Sequence, residues 1–445
     1  MRVSVSGVLR ELALDTRPMR YVDFRRLWMG QGVSFVGFQI TSVAVPLQVY
    51  ELTKSSLWVG LLGVASLFPL VVFGLWGGAV ADAIDRRVLL LISSLVAWAA
   101  TWALLTQALL HAHSAPLLLC ITAVQSGAFA ITGPTRGAIV PRLVPVELVP
   151  AANIMTSTVQ NAGTIAGPLF AALIVSTIGF GAAYGTDAAL FTMSLCAALR
   201  LPPIPRLHQR IADEVLDDGG TGSPAAEPTV PAPGPRPSVG LRSVVEGIVF
   251  ISKRPILLMS FVVDLVAMGF AMPRALFPQV AIQRFGGIGS AGWLYAAIAV
   301  GALIGALLSG WVGRVRRQGV ALLAVIAGWG VFVALAGFAS SLWLAVVLLA
   351  AAGACDLVGT VYRRTILQTY APDRMRGRLQ GVFTVVVAGG PRLGDLRAGI
   401  VAALFGVRAS WVGGGLACVV AIVLIGFLVP SFRRYVPESR QESTS

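Results

Sequence analysis

Stretches of about 20 apolar residues, separated by short polar breaks, recur along almost the whole chain. They fall near 27–50, 56–80, 87–110, 116–138, 150–178 and 182–200, and again near 255–277, 290–312, 318–338, 341–362, 378–406 and 409–430. A helix rising 1.5 Å per residue needs about 20 residues to cross roughly 30 Å of hydrocarbon. The pattern predicts an all-α polytopic membrane protein with twelve transmembrane helices in two six-helix halves.

The long polar interruption lies at 201–240, where DEVLDDGGTGSPAAEPTVPAPGPRPS is rich in Pro, Gly, Ala and acid. Such a segment buries too little apolar surface to order itself and reads as a disordered linker. After it, Leu241, Val244, Val245, Ile248 and Val249 share one helical face, while Arg242, Glu246 and Lys253 lie elsewhere. That spacing predicts a short amphipathic helix lying on the membrane surface. The expected organisation is an N-terminal segment over 1–26, a helical half over 27–200, a linker with its amphipathic helix over 201–254, a second half over 255–430 and a tail over 431–445.

Composition agrees with the pattern. Hydrophobic residues make up 56% of the 445, charged residues only 12%, and the mean hydropathy is +0.81. Lipid, not a polar shell, must cover that surface. A net charge of +14 would suggest nucleic acid for a soluble protein, but the positions of the Args explain it differently. Arg2, Arg10, Arg17, Arg20, Arg25 and Arg26 precede the first span. Alternate loops add Arg86, Arg87, Arg136 and Arg142, then Arg314, Arg316 and Arg317, then Arg363, Arg364, Arg374, Arg376 and Arg378. Arg433 and Arg434 sit in the tail, and the opposite loops hold little beyond Lys54, Arg284 and Arg408. Positive loops stay in the cytoplasm, so both termini and the linker are expected there, in a multi-pass protein of the cell (inner) membrane. The first 26 residues lack the short apolar stretch and small-residue site of a cleavable signal. Cys120, Cys196, Cys355 and Cys418 fall inside apolar runs without metal-ligand spacing, so they read as small buried hydrophobes and no metal site is expected. The expected partners are membrane lipid and a small-molecule substrate, not nucleic acid, and the expected state is a monomer.

The two sets of spans echo each other. TRGAIVPRLVPVELVPAAN from Thr135 and RRTILQTYAPDRMRGRLQG from Arg363 each place Arg at a helix end, then a turn with Pro and an acid, then another span. SLFPLVVFGLWGGAVADAIDRRVLL and VGALIGALLSGWVGRVRRQGVALL are each a span, a short basic loop and a span. Parallel six-helix repeats imply a pseudo-two-fold axis along the membrane normal and a site between the halves. The loop after the second span carries Gly78, Asp82, Asp85, Arg86 and Arg87. It resembles the signature loop of the major facilitator superfamily, which implies a latch closing the cytoplasmic side; a plain positive-inside loop is the alternative. Gly163, Gly167 and Pro168 in span five resemble the Gly-rich motif of that superfamily's antiporters, which implies export-type antiport; ordinary small-residue helix packing is the alternative. LPPIPR from Leu201, LFP at Leu276, LYAAIAVGALIGALLSG from Leu294 and LGDLRAG from Leu393 are similar to the enterobactin-exporter branch. That resemblance implies export of siderophores or drugs.

An ionised side chain at mid-bilayer costs roughly 2.5–3.5 kcal/mol on insertion scales, so each needs a reason. Asp264 lies nine residues past Pro255, about 14 Å into span seven, with no basic residue within two turns of it in its own span. Asp395 is flanked by Arg392 and Arg397, Asp356 sits in span ten, and Asp187 lies about two turns into span six. Water exclusion favours a neutral carboxyl and a nearby Arg favours an ionised one. A pair made or broken during transport therefore moves a proton. Asp264, Asp395 and Asp356 are the proton-coupling candidates, a permanent pair with Arg392 or Arg397 being the structural alternative. The first half reads as lacking a deep carboxylate; Gln31, Gln39, Gln48, Gln125, Gln160 and Asn161 are its polar groups. Gln39, Gln125, Arg392 and Arg397 are the substrate-cavity candidates. No GxxxxGK[ST] loop is present to cradle a nucleotide, so an ion gradient, expected to be protons, is the energy source and no cofactor is expected. Three histidines, all in loops, offer no catalytic cluster. A proton-driven exporter of amphipathic molecules leads; an importer or differently coupled transporter of the same fold is the alternative, ahead of a membrane enzyme or receptor.

Overall fold

Turn chemistry punctuates the helices. Ser114 caps one, accepting from the Leu117 N–H, and Pro116 follows in its first turn, where a missing N–H is harmless. Gly179 and Gly406 take φ values of 110° and 86° and make the tight fifth-to-sixth turn of each half, in a region that side-chain-bearing residues avoid. The computed structural model describes residues 15–83, 86–200, 241–370 and 375–435. The helices of the first half are α1 (Val22–Thr53), α2 (Ser56–Ala83), α3 (Arg86–Leu109), α4 (Ala115–Leu143), α5 (Val149–Thr177) and α6 (Phe180–Leu199). A short α7 (Leu241–Ser252) leads into α8 (Pro255–Ala271), α9 (Phe277–Arg284), α10 (Gly289–Leu307), α11 (Gln318–Phe338), α12 (Leu342–Tyr370), α13 (Arg376–Phe405) and α14 (Val407–Leu428). Among the described residues, eleven segments are long and apolar enough to cross a membrane, α8 and α9 together forming one of them. The twelfth is α13, long enough at 30 residues but loaded with Arg392, Asp395 and Arg397.

Packing repeats between the halves. The first half packs α1 on α5 and α6, α2 on α4, and α3 on α4 and α6. The second packs α8 on α13 and α14, α10 on α12, and α11 on α12 and α14. Taking α8 and α10–α14 as the counterparts of α1–α6, each pair in one half has its mate in the other. Two seams, α2 along α13 and α5 along α10, join the halves. They close at the end remote from the termini. Gly60 sits against the backbone of Asp395 and Leu396, Gly399 against Ser56 and Leu57, and Gly292 against Pro168 and Ala172. Two hydrogen bonds add to this contact: Ser56 donates to Gln279 at 2.6 Å, and Gln283 donates to Tyr50 at 3.1 Å. Outward-facing Phe68, Leu110, Val347 and Phe427 are each more than 60% exposed and supply a lipid-facing surface.

Several expectations need correction. Span seven does not run unbroken from 255 to 277: it breaks at Met272–Pro273, turns through Arg274–Leu276 and resumes as α9. Pro273 lacks the N–H that a continuous helix needs. The fourth span extends to Leu143 rather than 138 and the tenth to Tyr370 rather than 362. Arg136 and Arg363, counted as loop charges, are therefore helical. Of the cysteines only Cys418 is buried; Cys120 and Cys196 are exposed, which costs nothing against lipid. The linker over 201–240 lies outside the described residues. The amphipathic helix is present as α7, with Val245, Ile248 and Val249 exposed.

Candidate substrate and coupling sites

Asp264 is not alone. It is 3% exposed on α8, and its carboxylate meets the guanidinium of Arg363 on α12 at 2.6 Å. The same guanidinium reaches Asp356 at 3.5 Å and donates to Thr360 at 2.7 Å. Arg363 is 4% exposed, whereas the Asp356 side chain is 30% exposed. One cation is thus shared between a sealed carboxylate and a more open one. Ser260, Phe261 and Phe383 close in on this group and leave no space for a water molecule beside it. The expected structural partners, Arg392 and Arg397, are elsewhere. The sequence reads Arg363 as a loop charge because it stands in an Arg-rich stretch near the end of α12; only the burial of that helix end reveals its role.

Asp395 accepts a hydrogen bond from the backbone N–H of Ala275 at 3.0 Å and, among the described residues, has no Arg within ion-pair distance. Its neighbours in sequence point away. Arg392 donates to Ala388 of its own helix at 2.6 Å. Arg397 donates to Gly269 and Ser410 at 3.2 Å and also to Phe270. It thereby serves carbonyls in the last turn of α8, where a cation complements the helix dipole. Arg397 clasps α8, α13 and α14 together and does not line the cavities described here.

The first half holds a small, partly open cavity of about 80 Å³. Gln31, Ser34, Gln125, Gln160 and Arg136 supply its polar wall, and Phe35, Phe38, Phe129 and Phe191 its apolar one. Phe38 and Phe129 stack with centroids 4.8 Å apart and planes 6° from parallel. Gln125 faces this space and donates to Thr101 at 3.2 Å. Gln39 does not: it packs against Gly167 where α1 crosses α5. Gly163 meets Phe35 on the same crossing, and Pro168 lies against Gly292 of α10.

The first half does contain a deep carboxylate. Asp187 on α6 is fully buried, accepts from Thr41 at 2.5 Å and lies against Gly37, where a side chain would collide with it. Its second oxygen has no hydrogen-bond partner. Nearer the end remote from the termini, Gln48 accepts from Tyr184 at 2.6 Å and from Gln107 at 3.1 Å, which ties α1, α3 and α6 together. The signature loop joins α2 to α3. Asp85 and the surroundings of Gly78, Asp82 and Arg86 lie outside the description; Arg87 donates to the Leu199 carbonyl at 3.2 Å.

Comparison with known families decides the class. The model of the family described as Major Facilitator Superfamily matches residues 259–445, and that described as Transmembrane secretion effector matches residues 15–218. The chain belongs to the major facilitator superfamily. It is accordingly a multi-pass membrane transporter and not an enzyme. Among superfamily relatives, the enterobactin exporter EntS of Escherichia coli O1:K1 / APEC is 28% identical over 432 residues, which covers 97% of this chain and 96% of the relative. EntS of Shigella boydii serotype 18 matches to the same extent. Solved structures of the superfamily share the fold. The nucleoside transporter NupG superposes with a TM-score of 0.67 at 15% identity, covering 93% of this chain and 100% of that one. A bacterial homolog of the human lysosomal transporter Spinster, inward-facing and unoccupied, gives 0.70 at 16% identity, covering 95% and 100%.

Proposed function

We propose that this transporter is a proton-coupled exporter of amphipathic small molecules of the siderophore type, working by alternating access. The full-length similarity to enterobactin exporters supports the direction and substrate class, and one observation carries the coupling: Arg363 is shared between buried Asp264 and more open Asp356. A proton arriving on Asp264 neutralises it and frees Arg363 to pair with Asp356. When the proton leaves to the other side, the Asp264–Arg363 pair re-forms. Each such exchange couples one proton to the change of state, and a 100 mV potential alone supplies about 2.3 kcal/mol per proton. Asp395, hydrogen-bonded to backbone, is the second carrier candidate.

The distribution of Arg argues for cytoplasmic termini. The halves meet at the end remote from those termini, so on this reading the described state faces the cytoplasm. Reporter fusions after residue 215 and at the C-terminus should both give cytoplasmic signals; an external signal from either reverses the orientation. The function itself is tested in energised vesicles or cells. Efflux of enterobactin or a fluorescent amphipathic dye should proceed uphill and collapse on addition of an uncoupler. Uphill transport that survives the uncoupler rules out proton coupling, and inward accumulation rules out export.

A further inference from the structure

The pseudo-symmetry of the fold exposes a missing charge. Arg136 stands seven residues before the end of α4 at Leu143, and Arg363 seven residues before the end of α12 at Tyr370. The two helices are counterparts in the repeat. In the second half the guanidinium of Arg363 is met by Asp264, from the first helix of that half. In the first half, among the described residues, Arg136 is met from α1 only by the hydroxyl of Ser34 at 3.4 Å. No carboxylate among the described residues comes within ion-pair distance of Arg136. Its Nε is shut off from solvent and has no hydrogen-bond partner. A half-buried cation without a counter-ion is costly in this setting, and this one opens on the cavity walled by the Phe38–Phe129 stack.

We infer that this cavity is a binding subsite for a planar aromatic acid, whose anionic group takes at Arg136 the place that Asp264 takes at Arg363, while its ring lies among Phe35, Phe38 and Phe129. Guanidinium suits such a group because its N–H fork matches two oxygens at once. Gln31, Gln125 and Gln160 offer further polar contacts around the rim of the ring. The proposal rests on the transporter reading for its biological setting, but it concerns equilibrium binding and needs no gradient.

The test uses purified full-length protein in detergent, titrated calorimetrically with 2-naphthoate and with its neutral match, 2-naphthamide. Naphthoate should bind about 10-fold tighter or more, the range of a charge-assisted hydrogen bond. Arg136→Gln should erase that preference and leave naphthamide affinity within about 2-fold. Ser34→Asp is the decisive variant, because it rebuilds in the first half the ion pair of the second. It should keep the fold and exclude naphthoate, again sparing naphthamide. Phe129→Leu should weaken both probes alike. Equal binding of the two probes to the unaltered protein, or full naphthoate affinity in Ser34→Asp, overturns the proposal. Because binding is read without a gradient, uncoupler-insensitive efflux would sink the coupling reading and leave this one standing, and the reverse holds.

Discussion

Arg363→Met should be far more damaging than removal of either acid it holds. The substitution keeps an apolar stem of similar length on α12 but strips the cation from Asp264, leaving a carboxylate that is 3% exposed facing hydrocarbon and helix. Breaking a buried pair from one side typically costs about 3–5 kcal/mol, a large share of the stability of most proteins. The expected result is a marked fall in the thermal unfolding midpoint in detergent and in the yield of monodisperse protein. Adding Asp264→Leu to Arg363→Met should recover much of that loss, since the orphaned charge is then gone. Asp264→Asn alone should be gentler, because Arg363 keeps Asp356 and Thr360. Its deficit should instead appear in transport: substrate binding and downhill exchange persist, while uphill efflux is abolished because an amide carries no proton. Undiminished uphill efflux in Asp264→Asn shifts the carrier to Asp395 or Asp356. A wild-type unfolding midpoint in Arg363→Met shows that the pair carries no structural weight.

Which parts of this site were legible from sequence follows from where the chemistry sits along each helix. The spans announce themselves because lipid demands long apolar runs, and the repeat is visible because both halves keep the same turn after the fourth helix. Asp264 stands out as a charge in an otherwise apolar run. Its partner does not. Arg363 lies beyond the apolar stretch of α12, in the same kind of Arg-rich sequence as the true loop charges, and only tertiary packing shows that the last two turns of that helix fold inward. Arg136 was hidden in the same way. Asp187 was visible but misjudged: counting turns gives depth along a helix, not whether a neighbour such as Gly37 leaves room for the carboxylate to be sealed in. Arg397 shows the opposite error. Its place beside Asp395 in the chain suggested a pair, yet helical geometry points successive residues in different directions, and its fork finds the carbonyls ending α8 instead.

Gly301→Val should prevent the second half from assembling. On α10, Gly301 faces the backbone of Ala350 on α12, and Gly353 of α12 faces the backbone of Ile298 on α10. The two helices approach so closely that even a methyl at either position would overlap main-chain atoms, which cannot rotate away as a side-chain tip could. In a membrane, helix association rests on such close packing rather than on escape from water, so separating the pair forfeits the contact outright. Overpacking in well-packed cores typically costs about 1–3 kcal/mol and occasionally more; a backbone-to-backbone clash with a branched side chain belongs at the upper end. Gly301→Ala should shift stability in the same direction by less. Gly269→Ala serves as the control, because a Cβ there meets nothing within 4 Å, and in the last turn of α8 it should be neutral or stabilising by up to about 1 kcal/mol. Thermal unfolding and size-exclusion profiles of the three variants decide the matter. If Gly301→Val remains monodisperse with an unchanged midpoint, α10 and α12 are not held together at this crossing. If Gly269→Ala falls as far as Gly301→Val, the loss comes from replacing helical glycines as such and not from the crossing of these two helices.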